Sequence, residues 1–109
     1  MKFATISSGE SLSDEVRLPE GFYLTGVMIP ADWDTTADGC SFQISIDGST
    51  YANAYDETGT EIIFKVEADT WVRLPEMGAA RFIKFRSGGA STAVTQSADR
   101  ILYLSVSNI

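Results

Sequence analysis

The side chains best suited to binding an ion are three aspartates of one short loop, Asp32, Asp34 and Asp38. Carboxylates at alternate positions open the calcium loop of an EF-hand, which also needs an aspartate or asparagine ligand at its fifth position and a glutamate at its twelfth. Those two positions hold Thr36 and Gln43 here. We therefore expect a polar loop and no metal site of that type, while a looser oxygen cage for a cation stays open as an alternative.

Residue counts exclude chemistry that depends on histidine or on a pair of cysteines. The chain has no histidine, so it can form no Ser-His-Asp or Cys-His nucleophile and no histidine-ligated zinc site. Its single cysteine, Cys40, excludes an internal disulfide and any Cys-x-x-Cys pair. Because Cys40 opens a strand and has no basic neighbour in the sequence, we expect a small buried hydrophobe and not a reactive thiol.

The adjacent acids do not supply an acid–base couple. Asp14 is followed by Glu15, and Asp56 by Glu57. Neighbouring residues of a strand point to opposite faces, so neither pair converges on one substrate atom. The sequence also has no glycine-rich phosphate loop. It therefore predicts a protein without enzymatic activity and without a cofactor.

The net charge limits the partners of the protein. With 15 acids against 8 bases, the formal charge is −7 at pH 7. Binding to phosphate or to anionic lipid needs a surplus of lysine and arginine, so neither nucleic acid nor a membrane is an expected partner. The sequence has neither an apolar run of ~20 residues nor a signal-peptide pattern, so we expect a soluble protein made in a reducing compartment.

The charge is unevenly divided along the chain. Residues 1–61 hold 11 acids and 2 bases, a balance of −9, whereas residues 62–109 hold 4 acids and 6 bases, a balance of +2. If the strands keep these halves apart in space, the protein has an acidic side for solvent and a near-neutral side for a partner. This separation is a prediction about the topology of the fold.

The elements that must position these side chains are short strands. Turn residues recur at short intervals, and no window shows the apolar pattern of an amphipathic helix. The intervals suit strands of ~5–6 residues. The strand candidates are residues 2–6, 15–18, 22–29, 41–46, 50–55, 61–66, 70–74, 81–87 and 100–106. We expect one domain, residues 1–109, folded as an all-β antiparallel sandwich of eight or nine short strands.

Alternation along the strands predicts which side chains enter the core. The clearest case places Phe42, Ile44 and Ile46 on one inward face. Asp47 and Gly48 follow directly and predict a hairpin, since an Asp-Gly pair readily adopts positive φ.

Two segments do not fit the pattern of short strands. Residues 76–79 are the best candidate for a short helical turn. Residues 87–99 form a loop rich in small side chains, and a loop longer than ~12 residues is usually functional or mobile.

One strand presents a candidate partner surface formed by Phe82, Lys84 and Arg86. The plain interpretation is a solvent-facing row whose cations lie near acids of neighbouring strands. The functional interpretation is a contact surface for an acidic partner, because an exposed aromatic beside two cations suits an interface. Trp33 joins these partner-binding candidates, although the plain expectation is that it packs against the end of the sandwich.

Two stretches resemble discoidin-like (galactose-binding-like) jelly rolls. Residues 45–51 match the Ser-x-Asp-Gly-x-x-aromatic hairpin of those domains, and residues 80–85 match their Ala-Arg-aromatic-aliphatic-basic strand. The order and separation of the two stretches also agree with that fold. The resemblance therefore implies a jelly-roll-like sandwich, although the chain lacks the usual cysteine pair of those domains.

Along nearly its full length the chain resembles a group of small virion proteins of tailed phages. The stretches that carry this resemblance are residues 8–13, 24–30 with Trp33, 45–51, 55–59, 81–88 and 94–100, and the closing strand. They are turns and strands, so the resemblance assigns no binding residues.

The resemblance implies a head decoration (cement) protein that binds the outside of the capsid and stabilises contacts between capsid subunits. Its expected partners are the major capsid protein and further copies of itself. Its expected location is the capsid surface of the virion, after synthesis in the host cytoplasm. Two alternatives stay open: a glycan-binding module that uses Trp33, Tyr51 and Tyr55 on a virion surface, and an adaptor of the tail or neck.

Overall fold

The computed structural model describes residues 2–34, 39–74 and 80–108. Nine strands account for the regular structure of these residues. They are β1 (Lys2–Ile6), β2 (Val16–Arg17), β3 (Phe22–Met28), β4 (Gly39–Ser45), β5 (Ala52–Asn53), β6 (Phe64–Lys65), β7 (Trp71–Arg73), β8 (Phe82–Ser87) and β9 (Arg100–Asn108). Within these ranges the chain has no helix that is long and apolar enough to cross a membrane.

The strands form two antiparallel sheets packed as a sandwich. One sheet has the order β1-β9-β3-β7, and the other has the order β2-β8-β4-β5, with β6 also paired to β4. The pairs β1–β9, β2–β8, β3–β7 and β4–β5 are nested, as if one long hairpin had been rolled up. This nesting is the topology of a jelly roll, here with β6 as an additional strand. The predicted all-β, jelly-roll-like sandwich is confirmed.

The core lies between the sheets, and its buried apolar side chains form a single cluster. The ring of Phe42 packs against Phe64 and Phe85, with centroid distances of 5.4 and 5.2 Å. Along β8, Ile83 and Phe85 are buried while Lys84 between them is half-buried. The alternation predicted for this strand is therefore confirmed.

The inward position predicted for Ile46 is wrong, because this side chain is 86% exposed. The strand ends one residue earlier, at Ser45. There the hydroxyl of Ser45 accepts hydrogen bonds from the N–H groups of Asp47 and Gly48, at 3.2 and 2.9 Å. These bonds turn the chain out of the sheet before Ile46 can enter the core.

The long loop after β8 is fixed at several points. The N–H of Gly88 donates to Gly39 at 2.8 Å, and the N–H of Val94 donates back to Ser87 at 2.9 Å. The buried side chain of Gln96 bonds to Ser87 and Arg100. The loop is therefore a tied part of the sandwich. The helical turn predicted at residues 76–79 lies outside the described residues.

The predicted separation of the two chain halves in space is wrong. The jelly roll pairs strands of residues 1–61 with strands of residues 62–109 in both sheets, as in β1–β9 and β2–β8. The acidic and the near-neutral halves of the sequence are therefore interleaved. Any polarity of the surface must come from individual faces and not from the order of the sequence.

Candidate functional site

A row of large apolar side chains crosses the outer face of the four-stranded sheet. The register aligns Phe3 of β1 with Tyr103 of β9, Tyr103 with Met28 of β3, and Met28 with Trp71 of β7. Ile101 lies two residues before Tyr103 and therefore on the same face. We call these five side chains the aromatic face.

The aromatic face is open to solvent. The exposed fractions are 52% for Phe3, 45% for Tyr103, 42% for Met28, 51% for Trp71 and 39% for Ile101. Five of the nine large hydrophobic side chains that are exposed in the described residues therefore lie on one face. Scattered apolar residues on a surface are ordinary, but a contiguous apolar patch marks a site of interaction.

The side chains of this face are held in place by their neighbours. The indole N–H of Trp71 donates to the hydroxyl of Ser105 at 3.0 Å. Its ring lies directly over Gly26, where a Cβ atom would come within 2.4 Å of the indole. The rings of Phe3 and Tyr103 lie 6.2 Å apart at a tilt of 52°. Because the aromatic residues are fixed before any partner arrives, less side-chain entropy is lost on binding.

The aromatic face carries little charge. Among the described strand residues that alternation places on this side of the sheet, Arg73 is the only one of a charged type. The outer face of an antiparallel sandwich is ordinarily polar. An aromatic centre that is depleted of charge is the composition of a protein–protein interface.

The side chains of β8 that were predicted to bind a partner contact other side chains of the same chain. The ammonium of Lys84 lies 4.4 Å from the ring centre of Tyr51. The hydroxyl of Tyr51 donates to the carboxylate of Glu15, on the far side of β8. Burial of the Tyr51 ring and this hydrogen bond raise the pKa of the phenol above its usual range. The ring of Tyr51 therefore covers Lys84.

Arg86 lies on the outer side of β8, but only 6% of it is exposed. Its guanidinium forms an ion pair with Glu61 at 3.6 Å and donates to the side chains of Asn53 and Ser41. Glu61 in turn accepts from the N–H of Ala90 at 3.0 Å. The expectation that Arg86 faces solvent is wrong, because side chains from three other parts of the chain converge on it.

Phe82, at the start of the same row, is half-buried. The guanidinium carbon of Arg17 stands 5.7 Å from the centre of its ring, and Gly48 of the β4–β5 hairpin lies against the ring edge. Phe82, Lys84 and Arg86 are thus on one face, as predicted, but each already has a partner within the chain. We call this row the covered face.

Trp33 is buried, with 3% of its surface exposed, as the plain interpretation expected. Of the three aromatics considered for a glycan platform, Trp33 and Tyr51 are therefore engaged within the fold, and Tyr55 is the one that remains 54% exposed. Tyr55 borders a shallow depression of about 350 Å³ that is also lined by Ile44, Asn53 and Ile62.

The aspartate loop is used for structure where it is described. The carboxylate of Asp32 accepts from the buried guanidinium of Arg100 at 3.1 Å, and the N–H of Asp34 donates to Gln96 at 3.0 Å. Asp38 lies outside the described residues. Within the described ranges no group of three or more histidine, cysteine or acidic side chains is placed to hold a metal.

Cys40 is fully buried. Burial raises the pKa of its thiol to about 12. The thiol is therefore protonated at neutral pH and shielded from solvent, as expected for a small hydrophobe and not for a nucleophile.

The aromatic face was not predicted from the sequence, although a signal for it exists. In β9, Ile101 and Tyr103 alternate with the inward Leu102 and Leu104, so both sides of the strand are apolar. A strand with one wet face ordinarily alternates apolar with polar residues. Apolar residues on both sides of a strand therefore indicate that its outer side is also a contact surface.

Comparison of the chain with models of protein families, with curated proteins and with solved structures found no match. Because many unrelated functions share the jelly-roll fold, the fold alone names no activity. The aromatic face is therefore the main evidence for what the protein does.

Proposed function

We propose that the protein is a structural assembly protein of a tailed-phage particle, of the head decoration type, which adds to the outside of the capsid without performing chemistry. The aromatic face is the observation that carries the assembly role. It presents five large apolar side chains on a rigid sheet, where a protein partner can cover them.

The rest of the described molecule supports a mechanical role. Arg86 and Arg100 are buried, and both are used to hold loops. The thiol of Cys40 is sealed in the core. These three groups are therefore used to hold the fold together, and a rigid fold is what a brace between capsid subunits requires.

The phage part of the proposal rests on the resemblance of the sequence to small virion proteins. The fold is compatible with it, since jelly rolls are common in viral capsid and lectin domains. A net charge of −7 keeps many copies soluble before they attach.

The direct test is quantitative mass spectrometry of purified virions of the phage that encodes the chain. We expect the protein in the particle at a copy number comparable to that of the capsid subunits. Absence from the particle would contradict the proposal. A copy number near a dozen would move the protein to the tail or neck and keep only the assembly role.

A glycan-binding module is the second candidate. The observation that favours it is the exposed ring of Tyr55 beside the depression of about 350 Å³, because an aromatic ring can stack on the apolar side of a sugar. A glycan array comparing the wild-type protein with Tyr55→Ala tests it. Sugar binding that is lost in the variant supports this candidate, and the absence of any bound sugar rejects it.

A further inference from the structure

We propose that the aromatic face binds the same face of a second copy of this chain, so that the unit that assembles is a twofold-symmetric dimer. The inference rests on the proposed assembly role and names its first partner. It concerns the face formed by Phe3, Met28, Trp71, Ile101 and Tyr103.

The available area suits a dimer. If a fully exposed large side chain presents ~200 Å², as an aromatic one does, five side chains that are 39–52% exposed offer roughly 460 Å² of mostly apolar surface. A stable interface buries ~800 Å² on each partner, and homodimer interfaces are ~65% apolar. The aromatic face supplies about that apolar share, and a surrounding polar rim would supply the remaining area.

The charge distribution also favours a second copy. A molecule with a charge of −7 repels its own kind at most orientations. On this face the described charge is the single cation Arg73, at the border of the row. The four strands of this sheet contain no aspartate or glutamate, so two such faces can approach without bringing carboxylates of their strands together.

The row is suited to twofold pairing. Tyr103 and Met28 lie on the two inner strands, β9 and β3, and Phe3 and Trp71 lie on the two outer strands. A twofold axis that runs along the strands between β9 and β3 places Phe3 of one copy opposite Trp71 of the other. An interface built on such an axis uses the same patch on both copies.

The edge strand offers a weaker route to association. Exposed edges pair readily when their N–H and C=O groups are unpaired. At Thr5 of β1, the N–H donates to the carboxylate of Asp14 at 2.9 Å, and the C=O accepts from the N–H of Asp14 at 3.1 Å. Asp14 thus covers the β1 edge at the fourth of its five residues, so β1 is a poorer surface for association than the face of the sheet.

Analytical ultracentrifugation of the purified full chain tests the proposal without any capsid. We expect a monomer–dimer equilibrium with a dissociation constant in the micromolar range or below, as interfaces of this size give. A protein that stays monomeric at ~1 mM, far above that range, would overturn the proposal.

Charge variants test whether this face forms the dimer. Tyr103→Glu and Tyr103→Arg place like charges near the twofold axis and should each weaken the dimer at least about 100-fold. An equimolar mixture of the two should restore a heterodimer in native mass spectrometry, which also shows that both variants are folded. Ile46→Arg is the matched control, because Ile46 is 86% exposed but lies off this face. A dimer that tolerates both Tyr103 variants would overturn the proposal.

Failure of this inference can be told apart from failure of the proposed function. A monomeric protein that binds capsids, and loses that binding in Tyr103→Glu, would assign the aromatic face to the capsid and overturn the dimer alone. A dimeric protein that is absent from virions would support the dimer and contradict the phage role.

Discussion

The two sheets of the sandwich carry rows of large side chains on their outer sides. In the described residues one row is covered by other side chains and the other is exposed. On the five-stranded sheet, the covered face is enclosed by the chain itself: Tyr51 lies over Lys84, and Glu61 and Asn53 hold Arg86. On the four-stranded sheet, the aromatic face stays about half exposed. The row with the more obvious binding chemistry is the one that is used internally, and the apolar row is the one left open to solvent.

The difference has a physical cause. A buried guanidinium is costly unless it is paired and hydrogen-bonded, so cations that are covered must gain partners from the same chain. Exposing an aromatic ring to water costs less free energy than burying an unpaired charge, and this cost is removed when another surface covers the ring. Apolar surface can therefore stay exposed in the isolated chain, whereas the enclosed charge of Arg86 needs its partners within the same chain.

The largest effect is expected from Gly88→Ala. Gly88 directly follows β8, the strand that carries the covered face. Gly88 has φ +86°, and an added Cβ atom would lie 2.3 Å from the carbonyl oxygen of Thr92, a backbone atom that cannot move aside. We expect a loss of at least about 4 kcal/mol in the free energy of unfolding, measured by urea denaturation. Gly59→Ala is the control, since Gly59 has φ +85° but open space around it. It should cost only ~1–2 kcal/mol, and equal losses would contradict the steric explanation.

The next largest effect separates two cations of the covered face. Arg86→Met leaves the largely enclosed carboxylate of Glu61 without its ion pair, and should lower the free energy of unfolding by about 3 kcal/mol. Lys84→Met removes a partly exposed cation from the ring of Tyr51 and should cost less than about 1 kcal/mol. Thermal and denaturant unfolding measure both losses of stability. If the two variants lost similar free energies of unfolding, the distinction between the buried ion pair of Arg86 and the contact of Lys84 with the Tyr51 ring would be wrong.

A smaller effect is expected on the aromatic face from Gly26→Ala. The new methyl group occupies the place of the Trp71 ring, which must swing out and lose its hydrogen bond to Ser105. We expect a cost of about 1 kcal/mol and stronger quenching of tryptophan fluorescence by acrylamide in dilute, monomeric protein. Trp33 is buried and contributes little to this signal. Ser105→Ala, which removes only the hydrogen bond, should raise the quenching less, and unchanged quenching in Gly26→Ala would show that the ring is not held there.

The smallest effect is expected from Asp47→Asn in the hairpin beside the covered face. Hydrogen bonds from the N–H groups of Thr50 and Ser49 and from the Ser45 hydroxyl hold the pKa of Asp47 well below its usual range. A depressed pKa stabilises the fold above the unfolded-state pKa, and this contribution is lost as the pH falls through the folded-state value. The melting temperature of the variant should therefore be lower at neutral pH, and the difference should vanish in strong acid. A difference that grew on acidification would contradict the assignment.

Local patterns predicted much of this fold. The alternation of Ile83 and Phe85 with Phe82 and Lys84 fixes which way β8 faces, because a strand has a period of two. Asp47 and Gly48 end β4 near the predicted place, but the exact end at Ser45 depends on hydrogen bonds that its hydroxyl accepts from the N–H groups of Asp47 and Gly48. The inward position predicted for Ile46 is wrong for this reason. The predicted separation of the two chain halves in space is wrong for a different reason, because the order of strands in a sheet is a property of the whole chain.

The sequence by itself determined an all-β sandwich, the inward side of a clearly alternating strand such as β8, and the burial of Cys40. These follow from side-chain polarity and a period of two along a strand. The tertiary structure alone decided which outer face is free. Tyr51 and Glu61 reach Lys84 and Arg86 from strands and loops far away in the sequence, and the row from Phe3 to Trp71 is assembled from four strands that meet only in the folded sheet. Alternation states that a side chain points outward, but only the packing of distant segments determines whether water, the chain itself or a partner lies there.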